Sequence, residues 1–334
     1  MPANNDLMNR QTRPVAILGA GNMGTALAQM FARRGSRVVL WDFFAEVVDD
    51  INQSHRNDRY LPGLILSERV SAEASCEKCV KDAALVVLAV PSPFIVDTLN
   101  LALPAIPADT AILCAAKGID PVTMEPIHQQ VARQIGNRAL LLLGGPAIAN
   151  EFSRGLPAVV VLASQPITTA EMVRELLENE VFQVRTTQDL TGVALGGILK
   201  NVYAILLGYL DVTPGVGRNL EAAAVRASLY EMTALSVALG AETTTLYGLA
   251  GLGDLVATGF SADSHNRRYG QLLGRGRNPK EISDELKLLP EGARTVAVVC
   301  AWADRVLLPV PLAQFVHRAV KGGKPPLSDL LQHL

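Results

Sequence analysis

The stretch Pro14-Val-Ala-Ile-Leu-Gly19-Ala-Gly21-Asn-Met-Gly24 decides the fold of this 334-residue chain. Its apolar run, which ends at Gly19, is typical of a strand buried on both faces of a parallel sheet. Residues 25–34 then carry apolar side chains at helical spacing, and Gly35 predicts the end of that helix. Strand, glycine turn and helix in this order form the Gly-x-Gly-x-x-Gly fingerprint of a dinucleotide-binding fold. A tight turn that binds no ligand is the alternative explanation.

Each glycine of this turn has its own expected role. Gly19 allows the tight turn, Gly21 lets a phosphate approach the backbone, and Gly24 lets the helix pack close to the strand. The beginning of the helix then offers backbone N–H groups and a positive dipole end to a pyrophosphate.

Asp42 closes the second strand, at about the distance from the turn where the dinucleotide rule expects a ribose partner. A carboxylate at this place accepts hydrogen bonds from the 2′-hydroxyl of NAD and repels the 2′-phosphate of NADP, so NAD is weakly favoured. Arg33, Arg34 and Arg37 lie nearby in the sequence and are able to hold the 2′-phosphate, so NADP stays open. A solvent-exposed aspartate at a strand end is the structural alternative.

The remaining patterns predict two domains of different class. Residues 1–13 form a polar tail, and residues 14–188 alternate strand-like and helical runs, which is typical of an α/β, Rossmann-type doubly wound sheet. From residue 189 to 334 helical stretches dominate, so we expect an all-α C-terminal domain.

Composition excludes several classes of protein. A net charge of −2 leaves no basic surplus for nucleic acid, and four cysteines point to a reducing compartment. The N-terminus lacks the apolar core of a signal peptide. Residues 191–210 are mostly apolar, but Lys200 and Asn201 at the midpoint favour a buried helix over a membrane span. We therefore expect a cytoplasmic protein with no membrane insertion.

Three ionisable residues are candidates for chemistry. Lys200 is surrounded in sequence by apolar residues, and burial of an amine disfavours its charge and suits it to proton transfer; a side chain that reaches the surface is the alternative. Lys117 follows an apolar run at the end where parallel sheets bind ligands, unless it is a surface turn residue. Asp254 is either a carboxylate partner for Lys200 or a helix N-cap.

Metal binding is not expected. Cys76 and Cys79 have the spacing of a metal knuckle, but no second cysteine pair or nearby histidine completes four ligands.

Together the motifs resemble the NAD(P)-dependent glycerol-3-phosphate dehydrogenase family, from Val15 to about Pro311. The matching segments occur in this order: Gly19-Ala-Gly-Asn-Met-Gly-Thr-Ala-Leu-Ala28, Arg59-Tyr-Leu-Pro-Gly63, Val90-Pro-Ser92, Ala116-Lys-Gly118, Gly145-Pro146 with Gly155-Leu-Pro157, Gly196-Gly-Ile-Leu-Lys-Asn-Val202, Gly248-Leu-Ala-Gly-Leu-Gly-Asp-Leu255, Asn266-Arg-Arg268 and Glu291-Gly-Ala-Arg-Thr295.

The resemblance implies reversible hydride transfer between a nicotinamide and C2 of glycerol 3-phosphate or dihydroxyacetone phosphate, in a homodimer that feeds glycerophospholipid synthesis. Lys200 would exchange the proton, Asp254 and Asn201 would orient it, and Lys117 would hold substrate and cofactor. The cofactor contacts would be Gly19, Gly21, Asn22, Met23, Gly24, Asp42, Pro91, Lys117, Ala149 and Glu291. The substrate contacts would be Lys117, Gly145, Ala147, Lys200, Asp254, Ser264, His265, Asn266 and Arg267.

Two departures from the family pattern fall on the phosphate end of the substrate. Ala147 replaces the usual serine or threonine, and His265 replaces an arginine. Two alternatives therefore stay open: a diverged dehydrogenase for another small phosphorylated or phosphonylated carbonyl compound, and a dinucleotide sensor without catalysis.

Overall fold

The computed structural model describes residues 13–120, 122–286 and 289–334, so most of the predicted tail lies outside the described residues. Arg13, placed in that tail by the sequence, donates hydrogen bonds to Asp109 (2.7 Å) and to the Ala83 carbonyl (2.6 Å). The chain divides into two compact units, Met1–Leu190 and Thr191–Leu334. The sequence places this division after residue 188.

The described part of the first unit contains one eight-stranded sheet with the order β3-β2-β1-β4-β5-β6-β7-β8. Its strands are β1 (Val15–Leu18), β2 (Val38–Trp41), β3 (Val70–Glu73), β4 (Leu85–Leu88), β5 (Ala111–Cys114), β6 (Leu140–Gly144), β7 (Ala158–Ser164) and β8 (Phe182–Thr187). All neighbours pair in parallel except β6 and β7, which are antiparallel.

Helices connect these strands: α1 (Asn22–Arg33), α2 (Ala45–Ser54), α3 (Cys76–Val80), α4 (Ile95–Ala102), α5 (Ile127–Gln134), α6 (Ala149–Phe152) and α7 (Ile167–Leu177). β1 and β4 are buried at every position, as expected for central strands covered on both faces. The strand order reverses between β1 and β4, and ligands of such sheets bind outside the carboxyl ends of the strands at this point. The glycine turn follows β1 there.

The described part of the second unit is helical. Its helices are α8 (Leu190–Asp211), α9 (Arg218–Ala238), α10 (Thr243–Tyr247), a π-helical turn (Leu249–Gly253), α11 (Asp254–Phe260), α12 (His265–Gly274), α13 (Pro279–Leu286), α14 (Glu291–Arg305), α15 (Pro311–Val320) and α16 (Ser328–Leu331). A Rossmann-type sheet followed by a helical domain confirms the predicted fold class.

α8 is apolar on all sides because it is a core helix. It is long and apolar enough to cross a membrane by length and composition, but 78% of its most apolar window is buried inside the protein. A Cβ at Gly196 would overlap the Ala250 carbonyl oxygen, so glycine lets the π-helical turn approach α8 closely. This approach places Asp254, which directly follows the turn, next to the middle of α8.

Candidate active site

The glycine turn needs two of its glycines for its own geometry. Gly19 has φ +110°, and a Cβ there would lie 2.7 Å from the Val90 nitrogen; a Cβ at Gly24 would overlap the Gly19 carbonyl. Gly21 differs, because its φ is −67° and a Cβ would meet nothing within 4 Å. The protein itself therefore does not require glycine at position 21. The open space fits the close approach of a dinucleotide phosphate.

The beginning of α1 is suited to an anion. Gly21 is its N-cap and provides no side-chain hydrogen bond, and the first turn, which includes Asn22 and Met23, carries no acidic residue. The first N–H groups of a helix have no partner within the helix. Asn22 is exposed, whereas Met23 packs partly against the core of the first unit.

Asp42 is buried and accepts a hydrogen bond from the glycine turn. Its Oδ2 accepts a hydrogen bond from the Ala20 N–H (2.9 Å), and its Oδ1 accepts one from the Phe44 N–H (3.0 Å). A carboxylate offers about four acceptor positions, so the predicted ribose contact would use those that remain. The alternative of a solvent-exposed aspartate is wrong.

Other predicted residues of the first unit lie where neighbouring parallel strands end. Pro91 follows β4, Lys117 follows β5, and Gly145 follows β6. The Lys117 Nζ donates a hydrogen bond to the Gly145 carbonyl (3.1 Å), so these two segments are joined. Ala147 and Ala149 pack partly against the core.

Lys200 and Asp254 form a buried ion pair in the second unit. Lys200 lies in the middle of α8 with 9% of its surface exposed, and its Nζ contacts the Asp254 Oδ1. Asp254 is the first residue of α11, and Gly253 occupies the N-cap position, so the N-cap alternative for Asp254 is wrong. The Thr258 hydroxyl, one turn further along α11, donates to the same carboxylate (3.4 Å). We did not predict Thr258; its i, i+4 spacing from Asp254 was the available signal.

Asn201 connects three segments of the second unit. Its Nδ2 donates to the Gly197 carbonyl (3.2 Å) and to the Glu291 Oε2 (3.3 Å). Its Oδ1 accepts from the Asn266 Nδ2 (3.0 Å), and the Asn266 Oδ1 accepts from the Gly292 N–H (2.9 Å). The structure thus brings predicted catalytic, cofactor and substrate residues into one hydrogen-bond network. A Cβ at Gly292 would overlap the Asn201 carbonyl, so this unpredicted glycine allows the network to form.

The residues predicted at the substrate phosphate begin α12. Ser264 is the N-cap and accepts a hydrogen bond from the Arg267 N–H (3.2 Å), and His265 follows it on the surface. The Arg267 Nε donates to the Asp211 Oδ2 at the end of α8 (2.7 Å). The Arg267 guanidinium is therefore already paired with a carboxylate.

Two aromatic residues that we did not predict follow Asp42. Phe43 is 82% exposed, and the Arg59 guanidinium lies 4.0 Å from the ring centroid of Phe44. Large exposed aromatic side chains directly after the second strand were the available signal in the sequence.

The cysteine pair gives no indication of metal chemistry. Burial raises the pKa of the Cys76 thiol to about 11 and raises the pKa of Cys79 further, so both stay protonated at neutral pH. Within residues 13–120, 122–286 and 289–334, no group of three or more His, Cys, Asp or Glu side chains is placed to hold a metal ion.

Comparison with known proteins identifies the family. Residues 14–170 match the model for the N-terminus of NAD-dependent glycerol-3-phosphate dehydrogenase, and residues 189–330 match the model for its C-terminus. The chain is 37% identical to glycerol-3-phosphate dehydrogenase (NAD(P)+) of Moorella thermoacetica over 93% of this chain and 92% of the relative. It is 39% identical to the enzyme of the same name from Anaeromyxobacter dehalogenans over 93% of this chain and 94% of the relative.

A solved structure gives the same result. The crystal structure of glycerol-3-phosphate dehydrogenase from Coxiella burnetii matches with a TM-score of 0.88 and 34% identity, covering 96% of this chain and 98% of that one. These matches confirm the resemblance predicted from the motifs. The chain belongs to the NAD-dependent glycerol-3-phosphate dehydrogenase family.

Proposed function

We propose that this protein is an NAD(P)-dependent sn-glycerol-3-phosphate dehydrogenase, which interconverts dihydroxyacetone phosphate and glycerol 3-phosphate. The buried Lys200–Asp254 pair is the observation that carries this proposal. A dinucleotide sensor without catalysis has no use for an ammonium enclosed with its counter-ion beside the Asn201 network. Membership of the family supports the same reaction.

The first unit fits a nicotinamide dinucleotide because Gly21 leaves open space in front of the beginning of α1. When bound, the dinucleotide supplies the hydride that reduces the carbonyl carbon, or accepts it in the reverse direction. We assign its binding to these residues: Gly19, Gly21, Asn22, Met23, Gly24, Asp42, Pro91, Lys117, Ala149 and Glu291.

Lys200 supplies the proton. In reduction its ammonium stabilises the charge that develops on the carbonyl oxygen and then donates a proton to that oxygen. In oxidation the neutral amine accepts the proton of the hydroxyl group. Asp254 holds the Nζ through the ion pair, and the Thr258 hydroxyl fixes the carboxylate. Asn201 orients the chain beside Lys200 through its bonds to Gly197 and Glu291.

The substrate phosphate requires cations and backbone N–H groups. We assign it to the beginning of α12, where Ser264, His265 and Asn266 lie, with Arg267 behind them. Lys117, Gly145 and Ala147 are the proposed contacts from the first unit.

The residues that follow β2 support a choice between the two cofactors. Asp42 favours NAD over NADP, because an added 2′-phosphate would meet its negative charge. The exposed ring of Phe43 is available to stack on the adenine. We further propose a cytoplasmic protein, since the four cysteines fit a reducing compartment. The resemblance to the family supports a homodimer that feeds glycerophospholipid synthesis.

Nicotinamide absorbance tests the proposal. We expect rapid oxidation of NADH when dihydroxyacetone phosphate is added, and formation of NADH from glycerol 3-phosphate at alkaline pH. Turnover with other phosphorylated or phosphonylated carbonyl compounds alone would instead support a diverged dehydrogenase, since Ala147 and His265 depart from the family pattern. Binding of NADH without any turnover would support a sensor.

A further inference from the structure

Asn57 holds the glycine turn from outside the Gly-x-Gly-x-x-Gly motif. It lies in the loop after α2, is 1% exposed, and directs its amide at the turn. Its Nδ2 donates to the Ala20 carbonyl (2.7 Å) and to the Thr25 Oγ1 (2.8 Å). The Thr25 hydroxyl in turn donates to the same Ala20 carbonyl (2.9 Å). The carbonyl in the middle of the turn therefore has two side-chain donors.

The other end of the Ala20 residue is held as well, because its N–H donates to Asp42 (2.9 Å). Three side chains from three separate segments thus fix the backbone on both sides of Ala20. This residue directly precedes Gly21, whose open space fits the phosphates. A backbone fixed in advance binds an anion more tightly, because less freedom is lost on binding.

The amide of Asn57 is not the choice that stability alone would favour. Its two N–H groups are used, but its Oδ1 is buried and has no hydrogen-bond partner among the described residues. A buried acceptor without a partner destabilises the folded chain. An apolar side chain of similar size would avoid this cost, although it would remove one of the two side-chain donors to the Ala20 carbonyl.

We propose that Asn57 is a positioning residue for the dinucleotide: it holds the Ala20 carbonyl and thereby presets the turn that receives the pyrophosphate. The inference rests on the proposed function in so far as that function places a dinucleotide on this turn. It also gives a role to the Arg59-Tyr-Leu-Pro-Gly63 motif. The N–H groups of Tyr60 and Leu61 donate to the Asn57 carbonyl (3.1 and 2.9 Å), so the motif holds Asn57 in place.

The test is Asn57→Leu, with NADH binding measured by fluorescence and turnover measured at saturating NADH. We expect the Kd for NADH to rise about tenfold, while kcat and the KM for dihydroxyacetone phosphate change by less than about twofold. Asn52→Leu is the matched control, because the Asn52 amide makes a similar bridge to both backbone groups of Ala72 (2.9 and 2.8 Å) away from the turn. It should leave the Kd for NADH unchanged.

A second pair of variants decides the question if Asn57→Leu does not fold. Thr25→Val keeps the shape of the side chain but removes the hydroxyl between Asn57 and Ala20, whereas Thr25→Ser keeps the hydroxyl. We expect a raised Kd for NADH in Thr25→Val and a Kd close to wild type in Thr25→Ser. An equal Kd in both variants would overturn the proposal.

Two further outcomes would also overturn it: unchanged NADH affinity in Asn57→Leu, or the same loss of affinity in Asn52→Leu, which would indicate general loosening of the unit. The wild-type measurements separate this inference from the proposed function. If the wild type binds NADH without turning over dihydroxyacetone phosphate, the proposed reaction fails, and the Kd values still decide the role of Asn57. If it binds no NADH, both fail.

Discussion

Lys200 and Asp254 are buried together as an ion pair, but the fold does not need this ion pair for its stability. A buried ion pair is often no more stable than uncharged residues of the same size, but removal of one partner alone costs about 3–5 kcal/mol. Loss of activity in a single variant would therefore mix chemistry with unfolding. A double variant that removes both charges separates these two effects.

We predict that Lys200→Met combined with Asp254→Asn keeps the thermal stability of the wild type within a few degrees but lowers turnover at least about a hundredfold. The proton donor is lost while no unpaired charge remains buried. Lys280→Met, on the exposed face of α13, is the control and should retain full turnover. Near-normal turnover in the double variant would show that Lys200 only packs.

His265 offers the proposed phosphate site an imidazole instead of a guanidinium. It stands where the family motif has arginine, at the exposed beginning of α12. A guanidinium binds two phosphate oxygens at once, which an imidazole does not. We predict that His265→Arg lowers the KM for dihydroxyacetone phosphate about threefold and changes kcat by less than about twofold.

Initial rates of the wild type and of His265→Arg at the same pH measure this change, since the substrate phosphate is then ionised to the same degree in both assays. Weaker binding by His265→Arg would indicate a site shaped for another ligand.

The sequence reveals some of the residues of the candidate site but not those whose partners are set by the fold. Lys200, Asn201 and Asp254 were identifiable because their sequence context is unusual for charged or polar residues. Asp42 was predicted only as a ligand contact, because its bond to Ala20 depends on how two loops meet in space. Thr258 and Asn57 were missed for the same reason: their partners are side chains or backbone groups that the pattern of the sequence does not reveal.

The turn between β1 and α1 contains two glycines that its own geometry requires, Gly19 and Gly24, and one, Gly21, that leaves room for a ligand. We predict that Gly24→Ala destabilises the protein strongly, since its Cβ would overlap the backbone of Gly19. Gly21→Ala should fold with equal or slightly higher stability, because φ is −67° and alanine restricts the unfolded chain.

Gly21→Ala should nevertheless weaken NADH binding at least about tenfold, as its methyl group would occupy the space of a phosphate. Thermal unfolding and NADH titration of the two variants check both statements. Unchanged NADH affinity in a folded Gly21→Ala protein would place the pyrophosphate elsewhere.

Strands with a continuous apolar run can be predicted from the sequence. Short edge strands and the direction in which strands pair cannot. The apolar run that ends at Gly19 predicts a strand buried on both faces, and β1 is buried at every position. β3 (Val70-Ser-Ala-Glu73) was missed because it is a short strand at the edge of the sheet, with alternate residues exposed. The antiparallel pairing of β7 with β6 was not predicted either, since strand direction depends on the path of the connection, which apolar periodicity does not record.

Each of the two units contains a buried group, and the contributions of these two groups to stability change in opposite directions with pH. In the first unit, burial lowers the pKa of His128 from 6.5 to about 4. Its contribution to stability is complete above pH 6.5 and is lost as the pH falls towards 4.

In the second unit, burial raises the pKa of Glu231 from 4.5 to about 7, although the N–H groups of Leu312 and Ala313 and the Tyr203 hydroxyl donate to its carboxylate. Its contribution is complete below pH 4.5 and is lost as the pH rises through 7.

We predict that the stability advantage of the wild type over Glu231→Gln falls by on the order of 3 kcal/mol between pH 4.5 and 7, since each unit of pKa shift corresponds to about 1.4 kcal/mol. The advantage of the wild type over His128→Gln should rise by a similar amount between about pH 4 and 6.5. Denaturant unfolding of the three proteins across this range measures both differences, and common effects of other groups cancel. If the free energy of unfolding of Glu231→Gln and of the wild type changed in parallel with pH, the Glu231 carboxylate would be charged in the folded protein over this whole range, stabilised by its three donors. Of these two groups, His128 alone would then change the stability, towards acid, where it must accept a proton.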